Sequence, residues 1–122
     1  MTDVGQADAQ KIYNAAIGGT IKLDPGVAQK CANKCAELAE TMSNQIEAAS
    51  ALSFTTGFGG LASSRELQSG FGRKGGEAVD MLTSYREAAF RFQAAFLAAG
   101  QLFEEADAAN ARALASVQPE SQ

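Results

Sequence analysis

Few residue types in this chain could support catalysis or metal binding. The 122 residues include no histidine and only two cysteines, Cys31 and Cys35. Without histidine there is no Ser-His-Asp or Cys-His nucleophile system and no histidine-bound metal, and two cysteines alone cannot complete a tetrahedral zinc site. We therefore expect no enzyme activity, no metal site and no cofactor.

The cysteines and one glycine-rich stretch each have a structural and a chemical interpretation. Cys31 and Cys35 are one helical turn apart, which favours two small core residues; a disulfide between two copies of the chain is the alternative. Residues 70–75 spell G-x-G-x-x-G, but the dinucleotide-binding motif follows a strand, and no strand pattern precedes this stretch. We expect the glycines at 70–76 to fray or bend a helix.

A third pattern places an aromatic ring and a carboxylate one helical turn apart. Phe103 and Asp107 are four residues apart in a helical pattern, so they share a face. Periodicity alone favours a core phenylalanine beside a solvated aspartate. A recognition pair on the surface is the alternative.

The first element that must position such residues is a long helix after residue 24. Asp24-Pro25 predicts its start, with aspartate as the N-cap and proline at the first helical position. Apolar residues then recur at steps of three and four for about 28 residues. Clustered glycines near 54–62 predict a reversal of the chain.

The second element is a longer helix with two apolar seams that repeat every seven residues. Leu82, Phe96 and Phe103 lie on one seam, and Tyr85 and Phe92 lie on the other. A sustained seven-residue repeat predicts one continuous helix to about residue 115 that pairs with another helix.

Together these patterns predict an all-α fold. It is an antiparallel, coiled-coil-like helical hairpin over residues 24–116, with its turn near 54–62. Residues 1–23 form a partly flexible N-terminal arm with a short helix near 8–17, and 117–122 form a disordered tail.

Such a hairpin leaves apolar surface that needs a cover. Alanine-rich helices make a thin core, so we expect the chain to pair with itself or with a second small helical hairpin protein. The expected pairing interface consists of Leu38, Met42, Leu82, Tyr85, Phe92 and Phe96.

Charge and hydropathy argue against several classes of partner. The net charge is −4, so nothing electrostatic favours nucleic acid or an anionic membrane. The polar, acidic N-terminal residues lack the features of a cleaved signal peptide, and no run of 18 apolar residues is present. We expect no nucleic-acid partner, no small-molecule substrate and no transmembrane segment.

Three segments resemble a known family. Residues 98–114 are similar to the end of the second helix in EspC-like proteins, which are actinobacterial proteins associated with type VII (ESX) secretion. Residues 21–25 resemble that family's entry to its first helix. Phe58 and Gly60 fall where the wider WXG-type superfamily has its turn motif, with phenylalanine in place of tryptophan. The resemblance spans roughly residues 20–115.

This resemblance implies a function. Phe103 and Asp107 correspond to the family's aromatic-x-x-x-acid export signal, although phenylalanine lacks the hydroxyl of the usual tyrosine. The chain would be a non-enzymatic substrate or associated factor of a type VII system, and the secretion machinery would be its partner. It would be exported as a folded hairpin, to the medium or the cell envelope, without a cleaved signal peptide. The alternative is a cytoplasmic helical adaptor or chaperone.

Overall fold

Four α-helices make up the part of the chain that the computed structural model describes, residues 3–51 and 62–118. The helices, in chain order, are α1 Gln6–Ile17, α2 Pro25–Ser50, α3 Ala62–Ala99 and α4 Phe103–Val117. The described residues include no strand, so the expected all-α class is confirmed. The predicted turn residues Phe58 and Gly60, and positions 119–122 of the predicted tail, lie outside the described residues.

The central helix is α3, and each of the other three helices packs against it. Arg86 on α3 donates from Nη1 to Ser43 Oγ on α2 at 3.1 Å. Near the other end of α2, Ala28 lies against Gly100, just beyond α3. Higher residue numbers on α2 therefore face lower residue numbers on α3, so the two helices are antiparallel.

A buried polar cluster holds α1 on α3. Gln6 Nε2 donates to the Ser84 carbonyl and to Glu87 Oε1, both at 2.9 Å. The Arg91 guanidinium forms an ion pair with the other oxygen of Glu87 at 2.9 Å. At the far end of the segment, the Leu23 N–H donates to a carbonyl of α3. The buried carboxylate of Glu87 therefore accepts a hydrogen bond from α1 and has its charge balanced by Arg91. It ties α1 to α3 without an unpaired charge. Residues 6–23 of the predicted arm are thus packed on α3.

Helix α2 begins where the sequence predicts. Asp24 Oδ1 accepts hydrogen bonds from the Gly26 and Val27 N–H groups at 2.8 and 3.3 Å, and Pro25 occupies the first helical position. This cap satisfies two of the N–H groups that a helix start leaves without partners. The predicted start is confirmed.

The core consists of small side chains. Apart from Leu97, every buried apolar side chain in residues 3–51 and 62–118 is an alanine. Tyr13, Ile21, Leu23, Phe96 and Leu102 pack around the main cluster as partly buried residues. An alanine core lets helices approach closely but removes little apolar surface from water per residue, so polar contacts and turn geometry carry more of the specificity.

The predicted continuous helix to residue 115 is wrong, because α3 ends at a Schellman motif. The Leu102 N–H donates to the Leu97 carbonyl and the Gln101 N–H donates to the Ala98 carbonyl, both at 2.9 Å. Gln101 has φ 62°, the left-handed conformation that this motif requires at its first residue beyond the cap. After this turn α4 folds back along α3.

Folding back also changes the meaning of the seven-residue repeat. The seam of Tyr85 and Phe92 continues at the same spacing through three alanines, Ala99, Ala106 and Ala113, and all three are buried. The last two belong to α4 and lie in the core of this chain. Phe103 of the other seam is exposed. The repeat beyond residue 99 therefore describes packing within the chain, and not one long rod.

The glycine-rich stretch at 70–76 does not interrupt the helix. It lies inside α3, which is helical throughout Ala62–Ala99, so the expectation of a frayed segment is wrong. Each glycine costs about 1 kcal/mol of helix propensity relative to alanine. Gly75 is buried, which indicates that tertiary packing offsets part of this cost. A helical G-x-G-x-x-G also lacks the loop that cradles a phosphate.

The turn between α3 and α4 depends on close contact with the start of α2. A Cβ at Gly100 would overlap the Cβ of Ala28 and lie 3.5 Å from the Pro25 Cα. Glycine is needed here for space, since its φ is not in the left-handed region. The N-terminal end of α2 therefore rests directly on the point where the chain reverses.

Two glycine-to-alanine variants should have opposite effects. We expect Gly100→Ala to lower the free energy of unfolding by about 1–3 kcal/mol, because the added methyl group overlaps Ala28. Gly76→Ala should raise it by about 0.5–1 kcal/mol, because a Cβ there meets nothing within 4 Å. Urea unfolding followed by circular dichroism measures both. Equal stability of Gly100→Ala and the wild type would show that the contact yields without cost.

Candidate functional site

The predicted recognition pair lies at the start of α4. Phe103 is the first residue of this helix and Asp107 follows one turn later. Both side chains are exposed, and Phe103 retains 44% of its accessible surface. The ring is therefore not a core residue, which was the interpretation that periodicity favoured.

A third exposed residue extends the pair along the same face of α4. Leu114 is 54% exposed and follows Asp107 by seven residues, or about two turns. Asn110 lies between them, half-buried. We call Phe103, Asp107 and Leu114 the α4 ridge. Sequence reasoning missed Leu114, although the steps of four from Phe103 to Asp107 and of seven from Asp107 to Leu114 are visible in the sequence.

Buried alanines set the orientation of the α4 ridge. Ala106, Ala109 and Ala113 are fully buried, and they hold the neighbouring face of α4 against α3. The Schellman turn fixes the direction in which α4 leaves α3. Consequently, the ridge is carried by a helix with a fixed rotation about its axis, as a recognition surface requires.

Charge at the start of α4 favours the helix. Its N-cap residue, Leu102, supplies no side-chain hydrogen bond, but Glu104 and Glu105 lie in the first turn. Carboxylates there interact favourably with the positive end of the helix dipole, by about 0.3–1 kcal/mol each. The same residues make the surface around Phe103 acidic.

The carboxylate of Asp107 is available to a partner. Within residues 3–51 and 62–118 it forms no hydrogen bond and no ion pair. An exposed ring and a free carboxylate one turn apart can fill an apolar pocket and pair with a cation at the same time.

The six predicted pairing residues fall into two groups. Leu38 and Tyr85 are 50% and 46% exposed. The other four, Met42, Leu82, Phe92 and Phe96, are half-buried. The Phe92 ring lies beneath Gly5, where a Cβ would approach it to 3.0 Å, and Phe96 packs on the core cluster. The N-terminal segment and the core therefore cover part of the surface that the sequence analysis assigned to a partner.

The two cysteines are free thiols, half-buried on α2. Desolvation by burial, and secondarily the neighbouring Cys31, raise the pKa of the Cys35 thiol above its usual value. A raised pKa keeps the thiol protonated and therefore weakly nucleophilic. This environment favours the structural interpretation of the pair.

The described residues offer little for other classes of site. No group of three or more histidine, cysteine, aspartate or glutamate side chains in residues 3–51 and 62–118 could hold a metal ion. None of the described helices combines the length and the apolarity needed to cross a membrane.

No family model, no curated protein and no solved structure matches the chain.

The raised pKa of Cys35 predicts slow alkylation. At pH 8 iodoacetamide should modify Cys35 more slowly than it modifies the thiol of reduced glutathione, and the rate should rise about tenfold per pH unit while the thiol is protonated. Because the folded pKa is the higher one, the thiol also favours folding at low pH, and this contribution is lost as pH rises above about 8.5. Peptide mass spectrometry measures the rate, and the chain in 6 M guanidinium is the control. Equal rates in the folded and unfolded chains would contradict the prediction.

Proposed function

We propose that this protein is a non-enzymatic substrate or associated factor of an actinobacterial type VII (ESX) secretion system. It is exported as a folded helical protein to the medium or the cell envelope, without a cleaved signal peptide. The observation that supports this most directly is the exposure of Phe103 and Asp107 on one face of α4.

A folded substrate has to be recognised through its surface. An exporter that accepts folded helices cannot rely on an extended leader, so it needs side chains whose relative positions a helix sets. The α4 ridge supplies a ring and a carboxylate one turn apart, on a helix held by buried alanines. In this proposal the ring enters an apolar pocket of the machinery and the carboxylate pairs with a cationic side chain.

The proposal also assigns roles to the longer helices. It takes α2 and α3 as the antiparallel, coiled-coil-like hairpin, with α1 and α4 packed on α3. Pairing with a second copy, or with a second small hairpin protein, uses the exposed Leu38 and Tyr85. The half-buried Met42, Leu82, Phe92 and Phe96 contribute their remaining surface at the edge of that interface.

Replacing the ridge carboxylate tests the proposal. Asp107→Asn keeps the shape of the side chain and removes its charge, so helical circular dichroism should be unchanged. Losing one partner of a desolvated charge pair costs about 2 kcal/mol or more, so secretion should fall at least about 30-fold. Asp80→Asn, which makes the same charge change at an exposed position of α3, is the matched control. Immunoblots of medium and cell pellet from the native host give the measurement.

Other outcomes of the same experiment distinguish the alternatives. Normal secretion of Asp107→Asn would remove Asp107 from the signal, and normal secretion of Phe103→Ala would do the same for the ring. A wild-type protein that stays in the pellet would instead favour a cytoplasmic adaptor or chaperone, whose pairing through Leu38 and Tyr85 needs no export signal.

A further inference from the structure

A groove between α2, α3 and α4 has no role in the proposed export function. It measures about 290 Å³ and lies beside the contact of Arg86 with Ser43. Two arginines, two serines and two apolar residues line it, namely Arg86, Arg112, Ser43, Ser116, Phe90 and Ala115.

Arg86 has only neutral partners in this groove. Its Nη1 donates to Ser43 Oγ at 3.1 Å and its Nη2 donates to the Ser116 carbonyl at 3.2 Å. Its Nε is buried and has no hydrogen-bond partner among the residues that the structure describes. Arginine side chains stay positively charged in proteins. The charge and one buried donor are therefore left uncompensated.

Arg112 also has a neutral hydrogen-bond partner, although its side chain is exposed. Its Nη2 donates to Gln93 Oε1 at 3.3 Å, and its guanidinium carbon lies 5.9 Å from the centre of the Phe90 ring. Glu105 lines an adjoining groove with Arg112 but forms no ion pair with it. Both groove arginines thus lack a carboxylate partner among residues 3–51 and 62–118.

The chain as a whole has more acidic than basic residues, 14 against 10. The ion pairs that the described residues do form lie elsewhere and join neighbours on one helix, as in Lys34–Glu37, Lys74–Glu77 and Arg91–Glu87. Two unpaired guanidiniums in one groove create a local positive potential against an acidic background. Such a site attracts an anion.

We propose that this groove binds a carboxylate carried on an apolar or aromatic group. The guanidiniums of Arg86 and Arg112, which both line the groove, supply positive charge and N–H donors for a carboxylate. The Phe90 ring and Ala115 form the apolar part of the wall. This part makes favourable contacts with an apolar or aromatic group but not with a bare oxyanion such as phosphate. The inference does not depend on the export proposal, because none of these residues belongs to the α4 ridge.

Nuclear magnetic resonance of the ¹⁵N-labelled full chain tests the proposal. Titration with benzoate should shift the Nε–H signals of Arg86 and Arg112 with a saturable dependence, whereas benzamide, which lacks the charge, should bind at least about tenfold more weakly. Inorganic phosphate should also bind more weakly than benzoate. A short peptide that ends in phenylalanine, with a free or an amidated C-terminus, separates the two sources of such a group. Tighter binding of the free peptide than of benzoate assigns the site to a polypeptide end, and the reverse assigns it to a small carboxylate.

Variants confirm the position of the site. Arg112→Gln should weaken benzoate binding about tenfold or more, and this exposed residue can change without breaking the contacts by which Arg86 joins α2 and α4. Arg73→Gln makes the same charge change on an exposed part of α3 and should leave binding unchanged. Equal binding of benzoate and benzamide, tighter binding of phosphate, or equal losses in the two variants would overturn the proposal.

Discussion

The structure depends on the contact between Ala28 and Gly100. At this point the start of α2 meets the end of α3 so closely that no Cβ fits at residue 100. The contact places α2 along α3, and the Schellman turn that follows sends α4 back along α3. This one close contact therefore helps to set the relative positions of α2, α3 and α4. It thereby also affects the direction in which the α4 ridge faces.

An alanine core explains why polar contacts matter so much in this fold. Alanines bury little apolar area, so they specify the rotation and register of packed helices weakly. Two neighbouring residues on α3 supply the missing specificity. Glu87 faces α1 and accepts a hydrogen bond from Gln6 there, while Arg91 of α3 balances its charge. Arg86 faces α2 and α4, where its partners are neutral. Adjacent residues thus tie three helices to α3, but only one of the two charges is balanced within the described residues.

Local signals in the sequence predicted local structure well. The Asp24-Pro25 start of α2 and the end of the short N-terminal helix near residue 17 depend on neighbouring residues alone, and both are present. The end of α3 was missed because the seven-residue spacing continues across it, through Ala99, Ala106 and Ala113. These alanines are buried, so their pattern looks the same for one long helix as for two helices that fold back on each other. A glutamine in the left-handed position gives no sequence signal. The groove was beyond sequence reasoning, since its arginines, Arg86 and Arg112, meet only because α4 folds back.

Helix α4 carries an acidic side chain on one side and a basic side chain on the other. Arg112 follows Phe103 by nine residues, and at 100° per residue this places it half a turn around the helix from the ring. In the two proposals above, the carboxylate of the α4 ridge pairs with a cationic partner, whereas the guanidiniums of the groove bind an anion. One uniformly charged partner surface cannot satisfy both. The two surfaces can therefore be altered separately, and occupation of the groove leaves the ridge exposed on the other side of the same helix.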